Sequence, residues 1–169
     1  GDTVTVQTWI YDLQGSRSIR ALELWCGEQK LAGSVTYWAV FNTKTRRAEA
    51  LALPHEHFEK YPDREATTES FKKVDLSRET ELVCDYKTVL SDLDIVNHVN
   101  NVKYLEWCLD AVEPKPLLRQ QLKSFDMNFL RELQLADTVQ IVKGEQEKQT
   151  YFSINKDGKA CFALELNWK

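Results

Sequence analysis

The chain has 169 residues, of which 43% are hydrophobic and 28% charged, with a formal net charge of −4 at pH 7, as is ordinary for a soluble globular protein. The negative charge argues against a dedicated nucleic-acid binder, and no apolar run approaches the roughly 20 residues that cross a bilayer. The four cysteines form no CxxC pair, so we expect no zinc site but buried thiols of a reducing cytoplasm.

Three runs in the first 42 residues alternate apolar and polar side chains or are dense in β-branched and aromatic residues, which predicts strands. They lie at residues 2–11, 18–26 and 34–42, and CGEQK at residues 26–30 supplies a turn before the last run. Residues 54–80 carry two prolines, many charges and little periodicity. We predict for them a linker that crosses the surface, with one short helical turn.

Residues 91–112 begin as a loop and continue as a helix. Four apolar residues have helical spacing and predict one buried face: Val102, Leu105, Leu109 and Val112. Asn100 or Asn101 is well placed to cap the start of this helix. Pro114 and Pro116 are expected to end it.

The remaining segments of the second half predict strands on both sides of the helix. One candidate precedes it, and four follow it: residues 81–90, and roughly 122–132, 137–143, 149–155 and 160–168. Asp157-Gly158 gives the last pair a tight hairpin turn. A helix preceded by one strand and followed by three or four antiparallel strands suggests a sheet curled around that helix. The helix also carries Tyr104, Trp107 and Cys108, which suits burial on more than one face.

A weak internal repeat links the two halves of the chain. GDTVTV at residues 1–6 resembles ADTVQI at residues 136–141, and each begins a run of three strands with a hairpin before the last. One interpretation is a duplicated unit, whose first copy lacks the strand and helix that precede ADTVQI in the second. The other is that hairpin strands converge on such patterns by chance.

Asp94 and His98 are four residues apart in the turn that leads into the helix, so their side chains can face the same space. An aspartate beside a histidine can hold the imidazole in one tautomer and raise its basicity. The backbone N–H groups of Val99, Asn100 and Asn101 lie at the helix N-terminus and could form an oxyanion hole for acyl transfer. The alternative is that Asp94 and the asparagines only cap the helix while His98 only packs.

Glu132 ends the strand that alternates Phe125, Met127 and Phe129 on one face. It lies near Leu133 and Leu135 in the sequence. A carboxylate among leucines should resist ionising, which suits a general base. The alternative is an exposed glutamate at the end of a strand.

DLDIVNHVNNVKYLEW, residues 92–107, resembles the signature of the acyl-acyl-carrier-protein (acyl-ACP) thioesterases of the plant and bacterial type. The similarity continues in FDMNFLRELQLADTV, residues 125–139, and extends over nearly the whole chain. It implies an α+β fold, the tandem hot-dog, in which each of two antiparallel sheets wraps around a helix. The expected domains are a partial first hot-dog of strands at 1–53, incomplete at its N-terminus, the linker at 54–80, and a second hot-dog at 81–169 with the catalytic residues.

The resemblance implies roles for individual residues. The implied catalytic residues are Asp94, Asn97, His98 and Glu132. Those implied to bind substrate are Val99, Asn100, Asn101, Lys103 and Tyr104. Val96 stands where the family carries its asparagine, and a one-residue shift in the turn would bring Asn97 into the site. Leu133 stands where plant members carry a cysteine, which favours a carboxylate and histidine mechanism.

The implied activity is hydrolysis of the thioester between a fatty acyl chain and acyl carrier protein, which releases free fatty acid and terminates fatty acid synthesis. The implied partner is the acidic carrier protein, held by basic residues at the mouth of an apolar tunnel. No metal or nucleotide cofactor, nucleic acid or membrane insertion is expected, and the compartment is a bacterial cytoplasm or, in a plant, the plastid stroma. Apolar sheet surface left uncovered in the first unit favours a homodimer.

Two alternatives to this activity stay open at the level of sequence. One is a hot-dog thioesterase that acts on acyl-CoA, although no distinct motif for the adenine 3′-phosphate is present. The other is a non-catalytic module that binds acyl thioesters, which Val96 and the incomplete first unit would suit.

Overall fold

The computed structural model describes residues 1–42, 44–45, 47–50, 54–119 and 121–169. The chain divides into two compact units, Gly1–Phe71 and Lys72–Lys169. The boundary between them falls inside the segment predicted as a linker. The predicted end of the first domain, at residue 53, lies outside the described residues.

The first unit is built on antiparallel strands. Three of them form a sheet in the order β1-β2-β3 and two more form a separate pair: β1 Val4–Gln14, β2 Arg17–Cys26, β3 Gln29–Ala39, β4 Phe41–Asn42 and β5 Arg47–Ala48. The three predicted strands are present, with shifted ends. The turn before β3 is shorter than CGEQK, because Cys26 already pairs with Gln29 across the hairpin.

The segment predicted to cross the surface packs onto this first sheet. Ala66 is buried there with Trp9 and Ala21. The Nζ of Lys30 donates to the carbonyl oxygen of Ala66 at 2.8 Å. A Cβ at Gly33 would lie 1.9 Å from that same oxygen, so only glycine allows the segment to approach this closely.

The second unit contains a five-stranded antiparallel sheet in the order β6-β8-β9-β10-β7. Its strands are β6 Glu81–Lys87, β7 Leu122–Phe129, β8 Thr138–Gln146, β9 Gln149–Lys156 and β10 Lys159–Trp168. Asp157 and Gly158 both have positive φ, 52° and 70°, between β9 and β10. Positive φ at both central residues is what a type I′ hairpin requires, so the turn predicted there is confirmed.

Two helices lie between β6 and β7, where the sequence predicted one. Helix α1 spans Asn101–Leu109 and helix α2 spans Pro114–Leu118. Asn100 caps α1, its side chain accepting the backbone N–H of Val102 at 3.0 Å. Pro114 and Pro116 do not end α1: Pro114 begins α2, where its missing N–H costs nothing. Neither helix, nor any other in the described residues, is long and apolar enough to cross a membrane.

The buried part of α1 includes most of the stripe predicted from spacing. Leu105 and Leu109 pack against the core, and Val112, which lies beyond the end of α1, is buried, whereas Val102 is 57% exposed. Tyr104, Trp107 and Cys108 are buried as well. They pack on the inner face of the sheet with residues of β8, β9 and β10: Val139, Ile141, Phe152, Ile154, Phe162 and Leu164.

The cysteines are all free, and only part of the expectation for them holds. Cys108 and Cys161 are buried, and Cys26 is partly buried. Cys84 is exposed, because it lies on β6 at the edge of the sheet, where most residues face solvent. Burial raises the pKa of the Cys108 thiol to about 12, so that thiol is inert at neutral pH.

Candidate active site

The loop between β6 and α1 is organised by a buried carboxylate that sequence reasoning did not single out. Asp92 is only 3% exposed, at the end of a 3₁₀ turn, Leu90–Asp92. Its Oδ2 accepts the hydroxyl of Tyr86 at 2.9 Å and the backbone N–H of Val89 at 2.8 Å. Its carbonyl oxygen accepts the N–H of Asn100 at 2.8 Å. Asp92 therefore holds the loop to β6 and to the cap of α1.

Asp94 contacts the backbone of His98, where a contact with its imidazole was predicted. Oδ1 of Asp94 accepts the N–H groups of Val96 and His98, at 2.9 and 3.2 Å. The N–H of Asp94 donates to the carbonyl oxygen of His98 at 2.8 Å. The Asp94 carboxylate thus closes a turn that sets where the His98 backbone lies.

Asn97 lies in this turn with a φ of 64°. Its N–H donates to the carbonyl oxygen of Asp94 at 3.1 Å, and the residue is exposed. Asparagine tolerates the left-handed region of φ and ψ better than most residues. Its place at position 97, one residue after the family's position 96, therefore coincides with the residue of the turn that has positive φ.

The imidazole of His98 faces Glu132 across the site. Nδ1 of His98 and Oε1 of Glu132 are 3.8 Å apart, an ion pair when His98 is protonated. The two side chains are 32% and 46% exposed, respectively. Of the two interpretations of Glu132, the exposed glutamate is therefore confirmed, and the one that sheltered it among leucines is wrong. Because β7 ends at Phe129, Glu132 lies in an irregular segment in which Leu133 takes the buried position.

Leu133 connects the segment after β7 to the helix loop. The N–H of Val99 donates to its carbonyl oxygen at 2.9 Å. Its own N–H donates to the hydroxyl of Tyr104 at 3.0 Å. The residues directly after His98 and Glu132 are therefore bonded to each other, which fixes the two side chains relative to one another.

Two of the three amides expected to form an oxyanion hole are already engaged. The N–H of Val99 donates to Leu133 and the N–H of Asn100 donates to Asp92. The predicted oxyanion role is therefore wrong for these two groups, because a bonded amide cannot also stabilise a substrate. The N–H of Asn101 has no acceptor among the residues that the structure describes.

Lys103 lies on the first turn of α1 and is bonded along the helix. Its Nζ donates to Oε2 of Glu106 at 2.8 Å, and this hydrogen bond raises the pKa of Lys103. The side chain of Lys103 is partly exposed and that of Glu106 is exposed, at 31% and 49%. An exposed pair of this kind is weak and can exchange its partner.

The described ranges contain no group of three or more His, Cys, Asp or Glu side chains that could hold a metal ion. The chemically active groups described at this site are an imidazole, carboxylates and a helix amide.

Residues 76–169 match the family model described as the acyl-ACP thioesterase C-terminal domain. Palmitoyl-acyl carrier protein thioesterase, chloroplastic, of Cuphea hookeriana is 32% identical over 143 residues. That alignment covers 78% of this chain and 34% of the relative. The chain thus spans about a third of the length of that curated relative.

Two solved structures resemble the whole chain. An acyl-ACP thioesterase from Bacteroides thetaiotaomicron has a TM-score of 0.85 at 20% identity, covering 98% of this chain and 68% of that one. The 12:0-ACP thioesterase from Umbellularia californica has a TM-score of 0.80 at 19% identity, covering 100% and 68%. At these identities the likeness establishes the fold, and the predicted α+β hot-dog class is confirmed.

Proposed function

The chain belongs to the acyl-ACP thioesterase family, and from this premise we propose that it hydrolyses the thioester between a fatty acyl chain and the phosphopantetheine arm of acyl carrier protein. Water is consumed, and the products are a free fatty acid and the carrier-protein thiol, so fatty acid synthesis ends. The observation that carries the proposal is the facing pair of His98 and Glu132 beside the start of α1.

In the proposed mechanism His98 is the base and Glu132 its partner. A carboxylate beside Nδ1 favours the tautomer that carries its proton on Nδ1, which leaves Nε2 to take a proton from water. The water oxygen attacks the thioester carbonyl carbon, and the imidazolium that forms is stabilised by the Glu132 carboxylate. When the carbon–sulfur bond breaks, the proton on Nε2 passes to the departing sulfur.

We propose a positioning role for Asp94 in place of nucleophilic attack. Its Oδ1 holds two backbone N–H groups, including that of His98. Attack on the thioester would require this oxygen to release both. For Asn97 we likewise propose a backbone role, on the strength of its positive φ and its exposure.

The backbone N–H of Asn101 is the proposed donor to the carbonyl oxygen as it becomes negative. It lies at the N-terminal end of α1, where the helix dipole favours negative charge. The side chain of Asn100 is not part of this proposal, because it is engaged in capping the helix.

Acyl carrier protein, which is acidic, is the proposed partner. The stretch of chain between Asn101 and Glu132 includes basic residues that would supply opposite charge: Lys103, Arg119, Lys123 and Arg131. Lys103 pairs with the exposed carboxylate of Glu106. Exchanging that partner for a carboxylate of acyl carrier protein therefore costs little free energy. The bacterial cytoplasm and the plastid stroma stay the predicted compartments, and the Cuphea relative is named as a chloroplast protein.

A homodimer stays part of the proposal. Val6 and Trp38 of the first unit are 57% and 61% exposed, and exposed apolar side chains favour association. Sedimentation at several protein concentrations tests this.

The test of the proposed activity compares three readouts for one acyl chain: fatty acid released from acyl-ACP, fatty acid released from acyl-CoA, and binding of each thioester. We expect release from acyl-ACP at a higher kcat/KM than from acyl-CoA. Preference for acyl-CoA would favour the coenzyme A thioesterase. Binding of acyl-ACP without release would favour a non-catalytic acyl-binding module.

A further inference from the structure

Tyr104 is buried on α1, beneath the segment that carries Glu132. It is 2% exposed, and its ring contacts the rings of Trp107, Phe129 and Phe162. A side chain enclosed in this way offers no surface to a substrate. The substrate-binding role expected from its place in the sequence motif therefore does not suit it.

The hydroxyl of Tyr104 nevertheless contacts the backbone beside the site. It accepts the N–H of Leu133 at 3.0 Å, one residue beyond Glu132. We infer that Tyr104 is a positioning residue, whose hydroxyl holds the Leu133 backbone and thereby sets the Glu132 carboxylate against His98. This inference rests on the proposed function, because it assigns Tyr104 a part in that reaction.

The segment around Glu132 needs such a support because it has no strand partner. At one end, the N–H groups of Leu130 and Arg131 both donate to the carbonyl oxygen of Cys161. At the other end, the N–H of Ala136 donates to the carbonyl oxygen of Thr88. The middle, directly after Glu132, is held at Leu133 by two bonds: its N–H donates to the hydroxyl of Tyr104, and its carbonyl oxygen accepts the N–H of Val99.

The protonation state of the Tyr104 hydroxyl suits this positioning role. Burial raises the pKa of Tyr104 to about 12, so the hydroxyl stays neutral throughout the working range of pH. A neutral phenol accepts the Leu133 N–H without placing a second negative charge beside Glu132. The hydrogen bond is therefore unaffected by changes of pH that titrate the site itself.

The test removes this hydroxyl alone, with Tyr104→Phe, and compares it with a matched control, Tyr151→Phe. Tyr151 is also buried, and its hydroxyl donates to the carbonyl oxygen of Glu79 at 2.6 Å, on the second unit but not at the site. Each variant loses one phenol hydrogen bond, so we expect similar falls in Tm of about 2–4 °C. Tyr104→Phe should lower kcat by about 10- to 100-fold with little change in KM, whereas Tyr151→Phe should keep wild-type kcat.

A double-mutant cycle with Glu132→Gln distinguishes positioning from general weakening. If Tyr104 acts through Glu132, Tyr104→Phe has little further effect on kcat in the Glu132→Gln background. Equal losses of kcat in both backgrounds, or the same kcat for Tyr104→Phe and Tyr151→Phe, would overturn the inference. If Tyr104→Phe does not fold, 4-fluorophenylalanine at position 104 fills the place of the hydroxyl and the same cycle is measured.

Hydrogen exchange at the Leu133 amide gives a readout that does not need activity. Tyr104→Phe should lose protection at Leu133, while Tyr151→Phe keeps it. If the wild-type protein releases no fatty acid, the proposed function fails, and this exchange still decides whether the hydroxyl holds the segment. Unchanged protection at Leu133 in Tyr104→Phe would contradict the inference whatever the activity.

Discussion

The backbone N–H of Val99 donates to the carbonyl oxygen of Leu133 at 2.9 Å. Each of these residues directly follows a proposed member of the catalytic pair, His98 or Glu132. Residues 34 positions apart in the chain are therefore held in register by a bond between buried neighbours. The partly exposed side chains of this proposed pair gain their geometry from the core beneath them.

The account predicts different results for two substitutions of Asp94. Asparagine keeps an oxygen that can accept the N–H groups of Val96 and His98, whereas alanine removes it. We expect kcat of Asp94→Asn to stay within about tenfold of wild type and kcat of Asp94→Ala to fall about 100-fold. Steady-state release of fatty acid from acyl-ACP measures both.

Nucleophilic attack by Asp94 would give different results from the positioning role. If this carboxylate attacked the thioester, both variants would lose activity to the same extent. If water then opened the resulting anhydride at the Asp94 carbonyl, turnover in ¹⁸O-labelled water would leave label in the Asp94 side chain, detectable by mass spectrometry of the peptide. We expect label in the fatty acid and none in the protein.

Substitutions of Asn97 separate its backbone from its side chain. Glycine adopts a φ of 64° without strain, whereas alanine at this φ costs about 1 kcal/mol. We expect Asn97→Gly to keep the wild-type Tm and Asn97→Ala to lower it by about 2–4 °C. Both should keep kcat within a few fold. A folded but inactive Asn97→Gly would restore the catalytic role that the sequence motif implies.

Asp137, which follows Glu132 by five residues, makes the stability of the protein depend on pH. Burial alone would raise the pKa of Asp137, but hydrogen bonds from Nζ of Lys156 and from the N–H of Gln134 outweigh it and hold the pKa below its ordinary 3.8. A carboxyl with a lowered folded pKa stabilises the protein above its unfolded pKa. That contribution is lost as pH falls through the folded value.

The measurement for Asp137 is the difference in Tm between wild type and Asp137→Asn across pH. We expect the wild type to have the higher Tm at pH 7. The difference should shrink as pH falls below about 4 and close once pH has fallen through the lowered pKa of folded Asp137, because both side chains are then uncharged. A difference in Tm that stays constant across pH would mean that the ionised carboxylate of Asp137 contributes nothing to stability.

Local signals in the sequence predicted most of the fold. Alternation located the long strands, and Asp157-Gly158 located the last hairpin, because a two-residue turn with positive φ at both positions admits few sequences. The predicted stripe of the helix was confirmed for Leu105, Leu109 and Val112 and was wrong for Val102. Spacing selects residues that share a side of the helix, but the sheet opposite decides which side is buried, and that depends on contacts far along the chain.

The same limit applies to the site. The motif selected Asp94 and His98 as candidates and family resemblance selected Glu132, and the structure brings Asp94 to the backbone of His98 and Glu132 to its imidazole. Sequence neighbours could not reveal that Leu133 alone turns inward, or that the Val99 amide is engaged by Leu133. Asp92 was missed because a buried carboxylate in a loop has no spacing signal of its own.

The central claim is that His98 and Glu132 act together on the thioester. The most direct measurement is single-turnover release of fatty acid from acyl-ACP by wild type, His98→Ala, Glu132→Gln and the double variant, each shown to be folded by its Tm. We predict a fall in rate of about 10³-fold or more for each single variant, and little further loss when they are combined. Release at the wild-type rate by either folded single variant, or losses that multiply in the double variant, would contradict the account.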